Sequence, residues 1–136
     1  MSEKLSFSLV SPAKELFHGE VDHVIAPGTE GEFGVLPNHA PFMSTLRSGR
    51  VRIIDGDSVH RYFVHGGFAD VTPEGLTILA EEAIRLEDLD ETSIHDEIMK
   101  AETARDSAGD QAARFKAEGD IQRLKAQLDA LTEAHH

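Results

Sequence analysis

The chain has 136 residues and a mass of 14.9 kDa, the size of one domain with a short appendage. Its 13 Lys and Arg against 25 Asp and Glu leave a formal charge of −12, which opposes phosphate backbones and anionic lipid and argues against a nucleic-acid binder or a basic membrane-surface helix. Without cysteine it has no disulfide framework, thiolate nucleophile or Cys-based zinc site; no apolar run reaches the ~18 residues of a membrane span, and Met1-Ser2-Glu3-Lys4 opens no signal-peptide core, so a soluble chain is expected.

The first part reads as short strands. Leu5, Phe7 and Leu9 alternate with Ser6 and Ser8, the period of a half-buried strand. Val51-Arg52-Ile53-Ile54 runs into Asp55-Gly56 and returns from Val59 to Val64, the strongest hairpin signal in the chain. Phe68 to Val71 leads through Thr72-Pro73-Glu74-Gly75 into Leu76 to Ala80, with Pro presetting φ and Gly permitting a positive one. About eight to ten such strands predict a two-layer β-sandwich or flattened barrel.

Composition then changes. All five prolines and nine of the eleven glycines lie at or before Gly75, which places a boundary near Arg85 to Asp88. Charge does not mark it: residues 1–84 and 85–136 each carry −6, with 6 basic against 12 acidic groups and 7 against 13. Asp88 with Glu91 resembles a capping box. Ile94, Ile98, Ala101 and Ala104, and then Ala117, Ile121, Leu124, Leu128 and Leu131, recur at helical spacing. An antiparallel helical hairpin follows, its turn either at Ala108-Gly109-Asp110 or at Gly119-Asp120. Its narrow apolar stripes predict marginal docking and a movable element.

Little in the residues points to bond chemistry. His18 and His23, and His60 and His65, are five positions apart, which puts the partners on opposite strand faces, so hydrogen-bonded histidines are expected and no metal. Ser44 and Ser48 have no base nearby in sequence and no G-x-S-x-G elbow. Gly28-Thr29-Glu30-Gly31-Glu32-Phe33-Gly34 lacks the Lys and the helix of a phosphate loop. It reads either as a tight β-loop with glycines at positive φ or, more specifically, as a surface loop that shows Glu30 and Glu32 to a partner. The terminal His135 and His136 are either native or an added remnant.

Two segments, PGTEGEFGVLPNHAPFMSTLRSG (27–49) and HGGFADVTPEGLTILAEEA (65–83), resemble the epsilon subunit family of bacterial F-type ATP synthases, the mitochondrial delta counterpart. The motif G-x-x-G-x-x-P-x-H-A-P from Gly31 to Pro41 and G-G-F-A-D-V from Gly66 to Val71 carry it, and it extends over nearly the whole chain. It implies a flattened β-sandwich of about ten strands over residues 1–86, then a helix-turn-helix tail over 87–136. The expected role is a non-catalytic central-stalk subunit of the rotor that holds gamma, rests on the c-subunit ring and carries torque between them, peripheral to the cytoplasmic face of the bacterial inner membrane. No cofactor is implied. Matching positions place Glu30, Gly31, Glu32, Phe33, Gly34, His39 and Pro41 toward the c ring. The resemblance also implies a tail able to extend along gamma and inhibit ATP hydrolysis by meeting the beta and alpha subunits, for which Arg105, Arg114, Lys116, Arg123 and Lys125 are the candidate cations. The family's nucleotide motif, I/L-D-x-x-R-A, is degenerate here: Leu89 and Asp90 match, but Ser93 stands in the arginine position and Ile94 in the alanine position, so weak or absent ATP binding is expected. The alternatives are an ATP-responsive inhibitory module of the same complex and, remotely, an independent β-sandwich enzyme or metal protein.

Overall fold

The computed structural model describes residues 3–133, so His135 and His136 lie outside the described residues. The chain divides into two compact units, Met1–Arg85 and Leu86–His136.

Period-two alternation builds the first unit. In β1 (Leu5–Val10), Leu5, Phe7 and Leu9 are buried while the serines between them face outward. β2 (Glu15–Val21) pairs antiparallel with β1, followed by β3 (His23–Gly28), β4 (Gly31–Val35) and β5 (Phe42–Thr45). The strongest hairpin signal becomes β6 (Gly49–Asp55) and β7 (Ser58–His65), and the Pro-Glu turn joins β8 (Phe68–Thr72) to β9 (Gly75–Leu79) before β10 (Glu82–Arg85). Among the described residues these ten strands form two five-stranded sheets, ordered β2-β1-β9-β8-β5 and β10-β7-β6-β3-β4. Of the eight strand pairings within these sheets seven are antiparallel, and β1 runs parallel to β9, from Phe7 beside Leu76 to Val10 beside Leu79. Phe7, Leu9 and Ile78 of one sheet meet Val24, Val51 and Ile53 of the other in a dry core.

Backbone contacts stitch the two sheets at one corner. Gly28 bridges to Leu46, the Leu46 N–H donates to the Gly67 carbonyl at 2.9 Å, and the Thr29 N–H donates to the Thr45 carbonyl at 3.1 Å. A charged clasp closes another edge. Lys4 Nζ lies 2.8 Å from Asp22 and 2.6 Å from Asp55, and the Gly56 N–H donates to Asp22 at 2.6 Å. The Asp22 hydrogen bond first, then that of Asp55, holds the Lys4 ammonium above its ordinary pKa. Lys4 first, then the Gly56 N–H, holds the Asp22 carboxyl below the usual carboxylate range.

The glycine loop differs from its expected geometry. Of Gly28, Gly31 and Gly34, only Gly31 has positive φ (131°), because the turn itself is Thr29-Glu30 and the other two glycines lie in paired strands.

In the second unit a single 3-10 turn, Leu86–Asp88, precedes α1 (Glu91–Asp106). Its cap is Asp90, not Asp88: the 3-10 turn takes up Asp88, while Asp90 receives the Thr92 N–H at 3.3 Å and the Ser93 hydroxyl at 2.8 Å. The helices part at residues 107–110. Asp110 accepts the Ala113 N–H at 2.7 Å to start α2 (Gln111–Glu133), which runs unbroken through Gly119. Ile94 and Ile98 pack on Leu124, with Leu89, Leu128 and Leu131 beside them. Ala104 lies exposed rather than on the stripe, since the α1 stripe ends at Ala101. Gln127 and Ala130 are also buried on α2, beyond the positions marked by the apolar spacing.

Candidate interaction surfaces

Three places gather the side chains singled out above. The first is the turn end formed by the β3–β4 hairpin and the link from β4 to β5. Glu30 sits exposed in the hairpin turn and makes no hydrogen bond or ion pair among the described residues. Glu32 is exposed but engaged, accepting a 2.9 Å bond from Arg52 Nη2 across β3. Phe33 and His39 converge on Phe42, with ring centroids 5.3 Å apart in each pair. The link is held by Asn38, whose φ is +65° and whose amide reaches Glu3, and by His39, whose Nδ1 donates to the Ala40 carbonyl at 2.8 Å. Gly34 and Pro41 belong to the same hairpin-and-link segment, and Leu36 and Met43 stand out from it at 56% and 65% exposure.

The second place is an apolar groove on the outer face of the sheet containing β1. Register aligns Val10 with Leu79 and Leu79 with Phe68, each at an outward position of its strand. These three side chains, with Pro12 and Ala80, line an open groove of about 440 Å³ bordered by Glu81. Two glycines make it possible. A Cβ on Gly67 would lie 1.9 Å from the Leu79 carbonyl oxygen, so only a bare residue, here at φ +101°, lets the turn before β8 close on the end of β9. A Cβ on Gly66 (φ +70°) would lie 2.8 Å from Glu81 Cδ. The sequence held a signal for this groove: Val10, Phe68 and Leu79 are apolar where alternation calls for polar residues.

The third place is the helical unit. Arg105 is 3.1 Å from Asp106, Arg114 is 3.3 Å from Glu118, and Arg123 is 3.9 Å from Asp120. Lys116 and Lys125 are exposed and make no ion pair among the described residues. At the degenerate nucleotide motif, Asp90 and Ser93 bond to each other as a cap, Ile94 is buried and Leu89 packs on the hairpin core.

Several more of the polar residues singled out by the sequence have partners within the sandwich. Ser48 Oγ lies 2.6 Å from His65 Nδ1, so the fold supplies the base that sequence proximity did not, and the pair ties the loop before β6 to β7. Ser44 donates to the Thr45 carbonyl at 3.0 Å. His18 meets Ser8 at 2.9 Å, and His60 stacks near Phe17. Among the described residues no three His, Asp or Glu side chains are grouped to hold a metal ion, and no helix is long and apolar enough to cross a membrane.

A family model described as the ATP synthase delta/epsilon chain, beta-sandwich domain, matches residues 4–86. The chain belongs to the ATP synthase delta/epsilon chain family. It is 68% identical over 102 residues to the ATP synthase epsilon chain of Hyphomonas neptunium, covering 74% of this chain and 76% of that one. With the epsilon chain of Maricaulis maris it shares 48% over 126 residues, 93% of this chain and 95% of the relative. The fold is similar to a chain in the cryo-EM structure of the Euglena gracilis mitochondrial ATP synthase (OSCP, F1 and c-ring), with a TM-score of 0.81 at 23% identity over 96% of this chain and 83% of that one. Ten strands in two sheets followed by two helices are therefore the architecture of an epsilon chain, as the resemblance implied.

Proposed function

We propose that this epsilon-family chain is a non-catalytic rotor subunit of a proton-translocating F-type ATP synthase, coupling rotation of the c ring to ATP synthesis through gamma. The observation that carries the proposal is the apolar row Val10, Leu79 and Phe68 across three paired strands, an exposed patch of the kind that marks a docking face. Gamma fills this groove. The turn end, with Glu30, Gly31, Glu32, Phe33, Gly34, His39 and Pro41, rests on the polar loops of the c ring at the cytoplasmic face of the membrane. Torque passes between the two surfaces through a sandwich whose close packing resists deformation. Replacing Leu79 by Asp places a charge in the groove at a position already 39% exposed, so folding is retained. Loss of gamma co-purification at unchanged thermal stability supports this assignment; unchanged gamma binding refutes it.

The sandwich, 1–86, and the tail, 87–136, are separate working parts in this reading. A chain ending at Glu87 unfolds cooperatively and keeps gamma, because the main core cluster, from Leu5 to Ala83, lies wholly within it. The tail brakes ATP hydrolysis by meeting the acidic surfaces of the beta and alpha subunits. Lys116 and Lys125, free of internal ion pairs among the described residues, contribute most; Arg105, Arg114 and Arg123 must first give up the acids beside them. Exposed pairs contribute ~0–1 kcal/mol each, so single replacements change little while joint replacement of Arg114, Lys116, Arg123 and Lys125 by Ala raises hydrolysis in the assembled enzyme. ATP binds the chain weakly or not at all, because Asp90 already caps α1 and Ser93 brings no cation; calorimetric titration with ATP tests this directly.

A further inference from the structure

Glu81 stands out among the groove residues. Among the described residues that line the groove it is the one charged side chain, and it makes no hydrogen bond or ion pair with any described residue. Its position is built by the fold: the carboxyl group occupies the space that a side chain on Gly66 would fill, so the absent Cβ sets the acid at the rim of the apolar wall. An acid placed this way has a defined effect when the groove is filled. The arriving surface removes water from the carboxylate and lowers the dielectric around it, which strengthens attraction to an opposing cation and penalises a partner that brings none.

We propose that Glu81 is a specificity residue of the groove, selecting a partner segment in which a Lys or Arg stands beside the apolar side chain that enters between Val10, Phe68 and Leu79. The occupant is gamma, so the proposal rests on the groove being gamma's seat, and it adds which chemistry gamma must present there. Acid and apolar row together fix the register of docking: a segment shifted along the groove would bury the carboxylate unpaired. The sandwich as a whole is acidic, with 6 basic against 12 acidic groups over residues 1–84, so the field at the rim favours a cation over a neutral donor.

The test measures binding of the full chain to its cognate alpha–beta–gamma subcomplex for the wild type, Glu81→Gln, Glu81→Lys and Leu79→Asp, with circular dichroism and thermal melts to certify folding. The expected result is a several-fold loss for Glu81→Gln and at least a tenfold loss for Glu81→Lys. Wild-type affinity falls as salt rises from 50 to 500 mM, and Glu81→Gln flattens that dependence, since the ion pair is what salt screens. Restoration of Glu81→Lys binding by a Lys→Glu or Arg→Glu change in gamma identifies the paired cation. If Leu79→Asp abolishes binding while both Glu81 variants bind like the wild type at all salt concentrations, the groove stands and the role of Glu81 is overturned. If Leu79→Asp binds normally, the groove assignment itself fails, and the Glu81 proposal fails with it.

Discussion

The sandwich and the helical unit solve the problem of burial in opposite ways. Two sheets of five strands enclose Phe7, Leu9, Val24, Val51, Ile53 and Ile78 on all sides, and the chain reaches this arrangement through pairings of distant segments such as β1 with β9. The helical hairpin packs Ile94 and Ile98 on Leu124 in a small cluster, and its two helix starts are capped locally by Asp90 and Asp110. A closed core of non-local contacts fits the load-carrying role we propose for the sandwich. Helices joined by a small cluster and ended by single polar caps are expected to open at lower cost, in keeping with the movable tail we propose.

Two glycines, one in each region, give the sharpest contrast. Gly67→Ala pushes a methyl group into the Leu79 carbonyl at a positive φ, and we expect a loss of about 2–4 kcal/mol, read as a lowered midpoint in denaturant, together with loss of the groove. A stability within about 0.5 kcal/mol of the wild type, the range of ordinary surface changes, would mean that the β7–β8 turn yields easily and that the sandwich is softer than its packing implies.

In the helical unit, Asp90→Ala removes the acceptor for the Thr92 N–H and the Ser93 hydroxyl, with an expected cost of about 1 kcal/mol and a drop in helical circular dichroism. The sandwich should keep its own melting behaviour. Parallel loss of sandwich structure on this change would erase the distinction between the two regions.

Gly119→Ala works in the opposite direction to Gly67→Ala. Gly119 lies inside α2 with open space where a Cβ would go, so alanine should stabilise the helix by roughly 0.5–1 kcal/mol. A higher midpoint for helix melting confirms that the break between α1 and α2 belongs to residues 107–110 alone.

The smallest effect concerns the Lys4 clasp. Because Asp22 is held below its ordinary value of ~3.9, its contribution is present above about pH 4 and is lost as pH falls through the lowered folded value. Lys4, held above its ordinary value, contributes below about pH 10 and loses that contribution only as pH rises further. Lys4→Ala should therefore flatten the decline of melting temperature on acidification below pH 4. An unchanged acid profile would show that the clasp adds nothing at this edge.

Much of the architecture was legible before any coordinates. Alternation at Leu5, Phe7 and Leu9, the Asp55-Gly56 and Pro73-Glu74-Gly75 turns, and the helical recurrence from Ile94 to Leu131 all express local periodicity or turn chemistry, which a single strand or helix displays unaided. Ser93 in place of an arginine was equally plain. What tertiary structure alone decided are the meetings of residues far apart in the chain: Val10 beside Leu79 and Phe68 to form the groove, Glu32 beside Arg52, Ser48 beside His65, and Lys4 between Asp22 and Asp55. Strand register sets each of these, and register is fixed by the packing of the whole sandwich, so no local pattern contains it. The cap at Asp90 rather than Asp88 has the same origin in miniature, since two acids two positions apart offer the same chemistry and only the 3-10 turn ahead of α1 selects between them.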